Sequence, residues 1–121
     1  MNKARLKAYR KGHRAEWLAA LSLILRGHSI EARRFRTPLG EIDLIARKAD
    51  LVLFVEVKAR ATHQLGLDSV NRTAQQRIAK AGNWWLSQQR DFHQLSWRFD
   101  VITIVPWRWP RHYKDVWSTN S

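Results

Sequence analysis

Asp43, Glu56 and Lys58 are the residues whose types and spacing could do chemistry, within Gly40 to Arg60, G-E-I-D-L-I-A-R-K-A-D-L-V-L-F-V-E-V-K-A-R. Glu41 to Ala46 alternates charged and apolar residues, and Leu51 to Lys58 is Val- and Leu-rich before Glu56 and Lys58. Both runs read as strands joined by a turn over Arg47, Lys48, Ala49 and Asp50. Side chains alternate along a strand, so Glu41 shares a face with Asp43, and Glu56 with Lys58. A hairpin symmetric about the Ala49–Asp50 bond sets Asp43 opposite Glu56 and Glu41 opposite Lys58, each pair about 5 Å apart. Opposed like charges destabilise a sheet. A hard divalent cation such as Mg²⁺, which takes carboxylate oxygens and keeps several waters, would relieve the repulsion. Ordinary cross-strand salt bridges on a wet face would account for the same residues. The opposite face, Ile42, Leu44, Ala46, Val55 and Val57, is apolar and suited to a core.

The elements around this hairpin must position it. A helix is expected from about Lys11 to Arg26, with Trp17, Leu21 and Ile24 as its apolar stripe, Leu18 and Leu25 widening it, and Gly27 as its stop. Glu16 is the only charge from Ala15 to Leu25 and falls at the edge of the apolar sector. It either meets water or points over the sheet toward Asp43 and Glu56. Ser29 to Arg36 reads as a strand, Thr37-Pro38-Leu39-Gly40 as a turn, and 61–68, with Gly66, as a loop. A second helix runs from Ser69 or Asn71 to Gln89. Ala74, Ile78, Ala81 and Trp85 form its buried stripe, Gly82 and Leu86 extend it, and Gln75 lies on that extended side. The last strand, Trp97 to Val105, ends at Pro106. Asp100, among apolar neighbours, suits a structural hydrogen-bonding role. In the tail, Trp107 to Trp117, aromatics interleave with Arg and Lys and could stack on bases. Trp117 is expected to pack on the domain, while Trp107 and Trp109 are open.

Composition sets the partners. The 121 residues suffice for one domain, read as 10–121 behind a basic N-terminal segment, 1–9. A net charge of +12 attracts polyanions, nucleic acid before anionic membrane. Residues 1–36 carry most of that charge, with Glu16 and Glu31 as their only acids. There is no cysteine, and the histidines lack ligand spacing, which argues against a zinc site. No apolar run reaches a membrane span, and no signal-peptide cleavage pattern is present, so a cytoplasmic protein is expected.

An acidic residue followed about a dozen residues later by (D/E)-x-K in a strand resembles the PD-(D/E)xK nuclease superfamily; here these are Asp43 and Glu56-Val57-Lys58. G-E-I-D-L-I-A (Gly40 to Ala46), F-V-E-V-K-A-R (Phe54 to Arg60) and R-F-D-V-I (Arg98 to Ile102) narrow the likeness. With Gly12, Ala15-Glu16, Ala19 and Gly27, and with Gln75, Arg77 and Ile78, they resemble the YraN-like family over about Arg10 to Trp117. That group is an uncharacterised bacterial one regarded as endonucleases. The resemblance implies a restriction-endonuclease-like α/β domain similar to archaeal Holliday-junction resolvases. Its order would be α-β-β-β-α-β, a mixed sheet with a central antiparallel hairpin flanked by helices. It implies Asp43 and Glu56 as metal-binding carboxylates, Lys58 as the catalytic lysine, Glu16 as a further acidic member and Gln75 as the second-helix glutamine. The family often has Lys just before that Gln; here it is Ala74.

The expectation is a Mg²⁺-dependent endonuclease, with Mn²⁺ able to substitute, acting on nucleic acid, DNA before RNA. Arg33, Arg34, Arg36, Arg60 and Arg77 would grip the phosphate backbone. Such contacts confer affinity without sequence reading, so structure-selective cleavage is expected. A homodimer is compatible with the sequence. Two rival readings are a catalytically silent nucleic-acid adaptor of the same fold and a small basic RNA- or ribosome-associated protein.

Overall fold

The computed structural model describes residues 2–118; Met1 of the basic N-terminal segment and the last three residues of the expected domain lie outside the described residues. The elements are α1 (Lys3–Leu25), β1 (Ser29–Thr37), β2 (Gly40–Lys48), β3 (Leu51–Ala59), α2 (His63–Asp68), α3 (Arg72–Ser87), a 3₁₀ turn (Phe92–Gln94), β4 (Ser96–Ile104) and β5 (Arg111–Trp117). The strands form one sheet in chain order, parallel between β3 and β4 and antiparallel elsewhere. The parallel step requires a crossover, which α2 and α3 supply. The order α-β-β-β-α-β of a mixed α/β domain is therefore present, with α2 and β5 added. Among the described residues no helix is long and apolar enough to cross a membrane.

The core is divided by the sheet. On one side, Ile78, Ala81, Trp85 and Leu86 of α3 pack on Ile45, Val52, Phe54 and Phe99. On the other, Ala15, Ala19, Ala20 and Leu23 of α1 pack on Leu44, Leu53, Val55 and Ile102. The α3 stripe follows its sequence period, and Asn71 caps the helix by accepting from the Ala74 N–H. The α1 stripe does not. Trp17 is 59% exposed, and Leu18, Leu21, Ile24 and Leu25 are exposed too. The helix turns its small residues to the sheet, where they allow close approach, and carries Glu16 down with them, 6% exposed. Trp17 instead lies under the Arg33 guanidinium, 5.4 Å from the ring centroid, a cation–π arrangement.

Two further expectations are corrected. The segment 61–68, read as a loop, holds α2, capped by Thr62, whose hydroxyl accepts from the Leu65 N–H. Its Gly66 marks close packing on the Thr103 side chain. The aromatic tail supplies an edge strand, β5. Trp117 stacks on Phe99 with ring centroids 5.2 Å apart. Asp100, fully buried, ties that strand on, accepting from Arg98 Nε, from the Asp115 N–H at 2.9 Å and pairing with His112 Nε2 at 2.6 Å. Burial alone would push its carboxyl up; the His112 and Asp115 hydrogen bonds and the Arg98 charge outweigh this and hold it below the usual range.

Gly40 does more than close a turn. A Cβ there would lie 2.0 Å from the Arg77 carbonyl oxygen, so α3 can meet the start of β2 only over glycine. Gly40→Ala should lower stability by roughly 1–3 kcal/mol, the range of overpacked sites, as read by urea unfolding. An unchanged midpoint would mean that α3 does not rest on this backbone.

Candidate functional site

The site is opened by a break in the sheet. The β2–β3 ladder keeps the symmetric register from Lys48↔Leu51 to Leu44↔Val55 and stops there. Asp43 and Glu56, the next rung, form no backbone pair; the Asp43 carboxylate instead accepts from the Val57 N–H at 2.8 Å. Glu41, expected opposite Lys58, lies 3.6 Å from Arg36 on an exposed surface. Alternation fails at the same place. Ile42 and Ile45 both pack on the α3 side, whereas Leu44 packs on the α1 side. Ile42 is thus corrected from the face assigned to it with Leu44 and Ala46. In β1, Ala32 and Phe35 likewise share the α3 side, with Arg34 between them at φ 51°. A non-glycine residue in the left-handed region is held there by its surroundings, at a cost of about 1–3 kcal/mol.

The diverging strands leave an open cleft of about 540 Å³, walled by Gly12, Ala15 and Glu16 of α1 and by Ala74, Arg77 and Ile78 of α3. Its floor is Glu41, Asp43 and Glu56 to Arg60. The structure therefore brings together Asp43, Glu56, Lys58, Glu16, Arg60 and Arg77 of the expected set. Gln75 is not among the lining residues; its amide nitrogen donates to the Val70 carbonyl at 3.2 Å, closing the entry to α3. Arg34 is committed to Glu16, with Nε 2.8 Å from Oε2, rather than turned outward to a backbone phosphate. Arg33 lies over Trp17 and Arg36 beside Glu41, both exposed at the surface beyond the cleft.

Two features give the cleft its chemistry. The Glu56 carboxyl is pushed up to about 9, first by burial, then by a hydrogen bond with Asp43 and by its charge; Lys58 pulls the other way. Glu56 thus holds a proton against Asp43 at neutral pH. Glu16 Oε1 is buried with no hydrogen-bond partner, while Oε2 is held by Arg34. Among the described residues no three acidic or histidine side chains gather tightly enough to cage an ion. A site of two carboxylates completed by waters remains sufficient for Mg²⁺, which keeps several of them. The paired carboxylates and the orphaned Glu16 oxygen fit such a hydrated cation.

The sequence signal for the break was the run Ile42-Asp43-Leu44-Ile45, apolar on both parities, as expected of a strand covered on both faces.

A pH dependence follows. Below its ordinary value near 4.5, Glu56 is protonated whether folded or unfolded. As pH rises from there toward 9, the unfolded chain releases that proton and the folded chain keeps it. The folded state binds more protons, so stability falls across this window. With a chelator present, Glu56→Gln should flatten that fall. At pH 7 it should add roughly 1–2 kcal/mol, a figure discounted for the partial exposure of the group. Urea unfolding at pH 5, 7 and 9 reads this; equal pH slopes for both proteins would contradict a held proton on Glu56.

Comparison with known proteins places these features in a lineage. The chain is 54% identical over 115 residues to a UPF0102 protein of Chelativorans sp. (strain BNC1), covering 95% of this chain and 93% of the relative. It is 52% identical over 113 residues to UPF0102 protein mlr4633 of Mesorhizobium japonicum, covering 93% and 90%. A UPF0102 protein of Brucella canis is 53% identical over 105 residues, covering 87% and 83%. The family model described as "Uncharacterised protein family UPF0102" matches residues 15–104, from the α1 wall of the cleft to the last residue of β4. The chain belongs to the uncharacterised protein family UPF0102.

Proposed function

We propose that this protein is a metal-dependent endonuclease that hydrolyses phosphodiester bonds, structure-selectively, on DNA. The observation that carries the reading is the Asp43–Glu56 pair, hydrogen-bonded in an open cleft lined by Lys58, in a chain of net charge +12. Two carboxylates forced together, in a protein otherwise rich in cations, are explained by a ligand that is itself positive.

Asp43 and Glu56 would hold Mg²⁺ or Mn²⁺, and the free oxygen of Glu16 would face the waters around it. The bound ion supplies Lewis acidity to phosphate and water. Asp43 is fixed for this by the Val57 N–H, and Glu16 by Arg34. Lys58 lines the same floor and can place its ammonium against charge developing on the phosphate oxygens. Arg60 and Arg77, at the cleft margins, can hold flanking phosphates. Glu16, which lines the cleft and has no partner at Oε1, would act as a third acidic member on the metal or its water.

A panel of labelled branched, flapped and linear DNA with Mn²⁺ tests the reading, alongside calorimetry of Mn²⁺ binding. Asp43→Ala should abolish the calorimetric site and lower cleavage by roughly 100-fold or more, since a metal contributes several kcal/mol. Glu16→Gln should lower cleavage far more than DNA binding. DNA affinity should fall with salt at a log–log slope of about −0.9 per phosphate contact. Cation binding that survives Asp43→Ala would remove the metal site, and a flat salt response would remove nucleic acid as the partner.

A further inference from the structure

The β4–β5 connection, 105–110, holds two large aromatic side chains away from the protein. Trp107 is fully exposed and Trp109 is 83% exposed. Trp107 sits at φ 61°, a conformation that a bulky side chain rarely adopts. On one side of the loop, Trp107, Arg108, Trp109 and Pro110 form a groove of about 310 Å³ with Leu18, Leu21 and Leu25 of α1. On the other side, Trp109 and Pro110 border a second groove of about 420 Å³, lined by Arg26, Arg108, Arg111, His63 and His112. No acidic residue lines either groove among the described residues. The charges of Arg111 and Arg108, after burial, hold the His63 imidazole low, which places both guanidiniums near this wall.

We propose that this loop is a binding site for single-stranded nucleic acid, with Trp107 and Trp109 stacking on bases and Arg26, Arg108 and Arg111 holding phosphates. Aromatic faces beside a cationic groove without acids are the chemistry of single-strand recognition. A duplex keeps its bases stacked inside and offers these rings nothing. The loop also adjoins the cleft. Strands β3 and β4 are parallel, and the Arg60 N–H bonds the Ile104 carbonyl at 3.1 Å, so the loop leaves the sheet at the end where Lys58 and Arg60 lie. The site rests on the nuclease reading only for its purpose, guiding an unpaired strand to the cleft; its binding stands apart from hydrolysis. The matched family span ends at Ile104, before the loop begins.

The test is fluorescence anisotropy of a labelled dT 12-mer and of a duplex of equal length, with chelator present so that no cleavage occurs. The wild type should prefer the single strand. Trp107→Ala and Trp109→Ala should each weaken it roughly tenfold, the scale of one base stack, with the phenylalanine variants restoring most of the loss. Duplex binding should hardly change. Arg108→Gln and Arg111→Gln should each reduce the salt slope by about 0.7. Trp107→Ala and Trp109→Ala should keep the wild-type Mn²⁺ calorimetric titration, which separates this site from the proposed catalytic one. Both residues are exposed, so the alanine variants should keep the wild-type unfolding midpoint. Unchanged 12-mer binding in both tryptophan variants would overturn the proposal. Self-association of the wild type that is lost on Trp109→Ala, without loss of 12-mer binding, would also overturn it, assigning the groove to a second copy of the chain.

Discussion

The rest of the site depends on one broken rung. Had the β2–β3 hairpin continued past Leu44↔Val55, Asp43 and Glu56 would have been clamped in a closed ladder, with no volume between α1 and α3. Instead the Asp43 side chain takes the Val57 N–H, the backbone donor lying just past the unpaired Glu56. A carboxylate replacing a carbonyl satisfies the donor while letting the strands part. Across from Asp43, β1 carries Arg34 in a left-handed backbone, with a part-buried ion pair to Glu16. Asp43, Arg34 and Glu16 thus lie together on β2, β1 and α1. A change at any of the three is felt in the shape of the cleft as well as in its charge.

The orientation of α1 is the second constraint. An amphipathic helix usually buries its largest apolar residues, and here that rule would have put Trp17 and Leu21 on the sheet and Glu16 near water. The sheet's α1 face already carries Leu44, Leu53, Val55 and Ile102, which fill the interface from below. Alanines at Ala15, Ala19 and Ala20 fit over such a floor where leucines would be held off. The outcome brings a buried glutamate to the cleft and leaves an apolar helix face outside, bordered by the Trp107–Trp109 loop.

These two constraints also explain what could be read from the amino acids. The hairpin register was legible because two residues, Ala49 and Asp50, suffice to turn the chain, and a short turn fixes every pair above it. The α3 stripe was legible because its apolar residues recur at helical spacing on one face. The face of α1 was not, since the deciding quantity is the volume available above the sheet, which no period within the helix reports. The lost rung at Asp43 showed only in Ile45, apolar out of step with Ile42 and Leu44, and the left-handed backbone of Arg34 left no mark in β1, a strand without a buried residue. The edge strand β5 is polar and lies beyond a proline-bounded loop, so it reads as tail. Gln75 shows the limit of carrying a role by position alone: the residue is where the helix predicts, and its amide serves the helix entry.

The charge distribution gives the cleft its sense. Burial is the largest single cause raising Glu56, the hydrogen bond and charge of Asp43 follow, and Lys58 does not offset them. The acidic pair is thus held by taking carboxylates out of water, not by surrounding them with the protein's own cations, which are plentiful elsewhere on the chain. A site made this way lacks both solvation and compensating charge. On the proposed reading, a hydrated divalent cation held by Asp43 and Glu56 would answer both needs, supplying positive charge and water to the two carboxylates. An arginine in its place would have neutralised the pair and filled the cleft. Arg34 is turned instead to Oε2 of Glu16, which leaves the buried Oε1 without a hydrogen-bond partner.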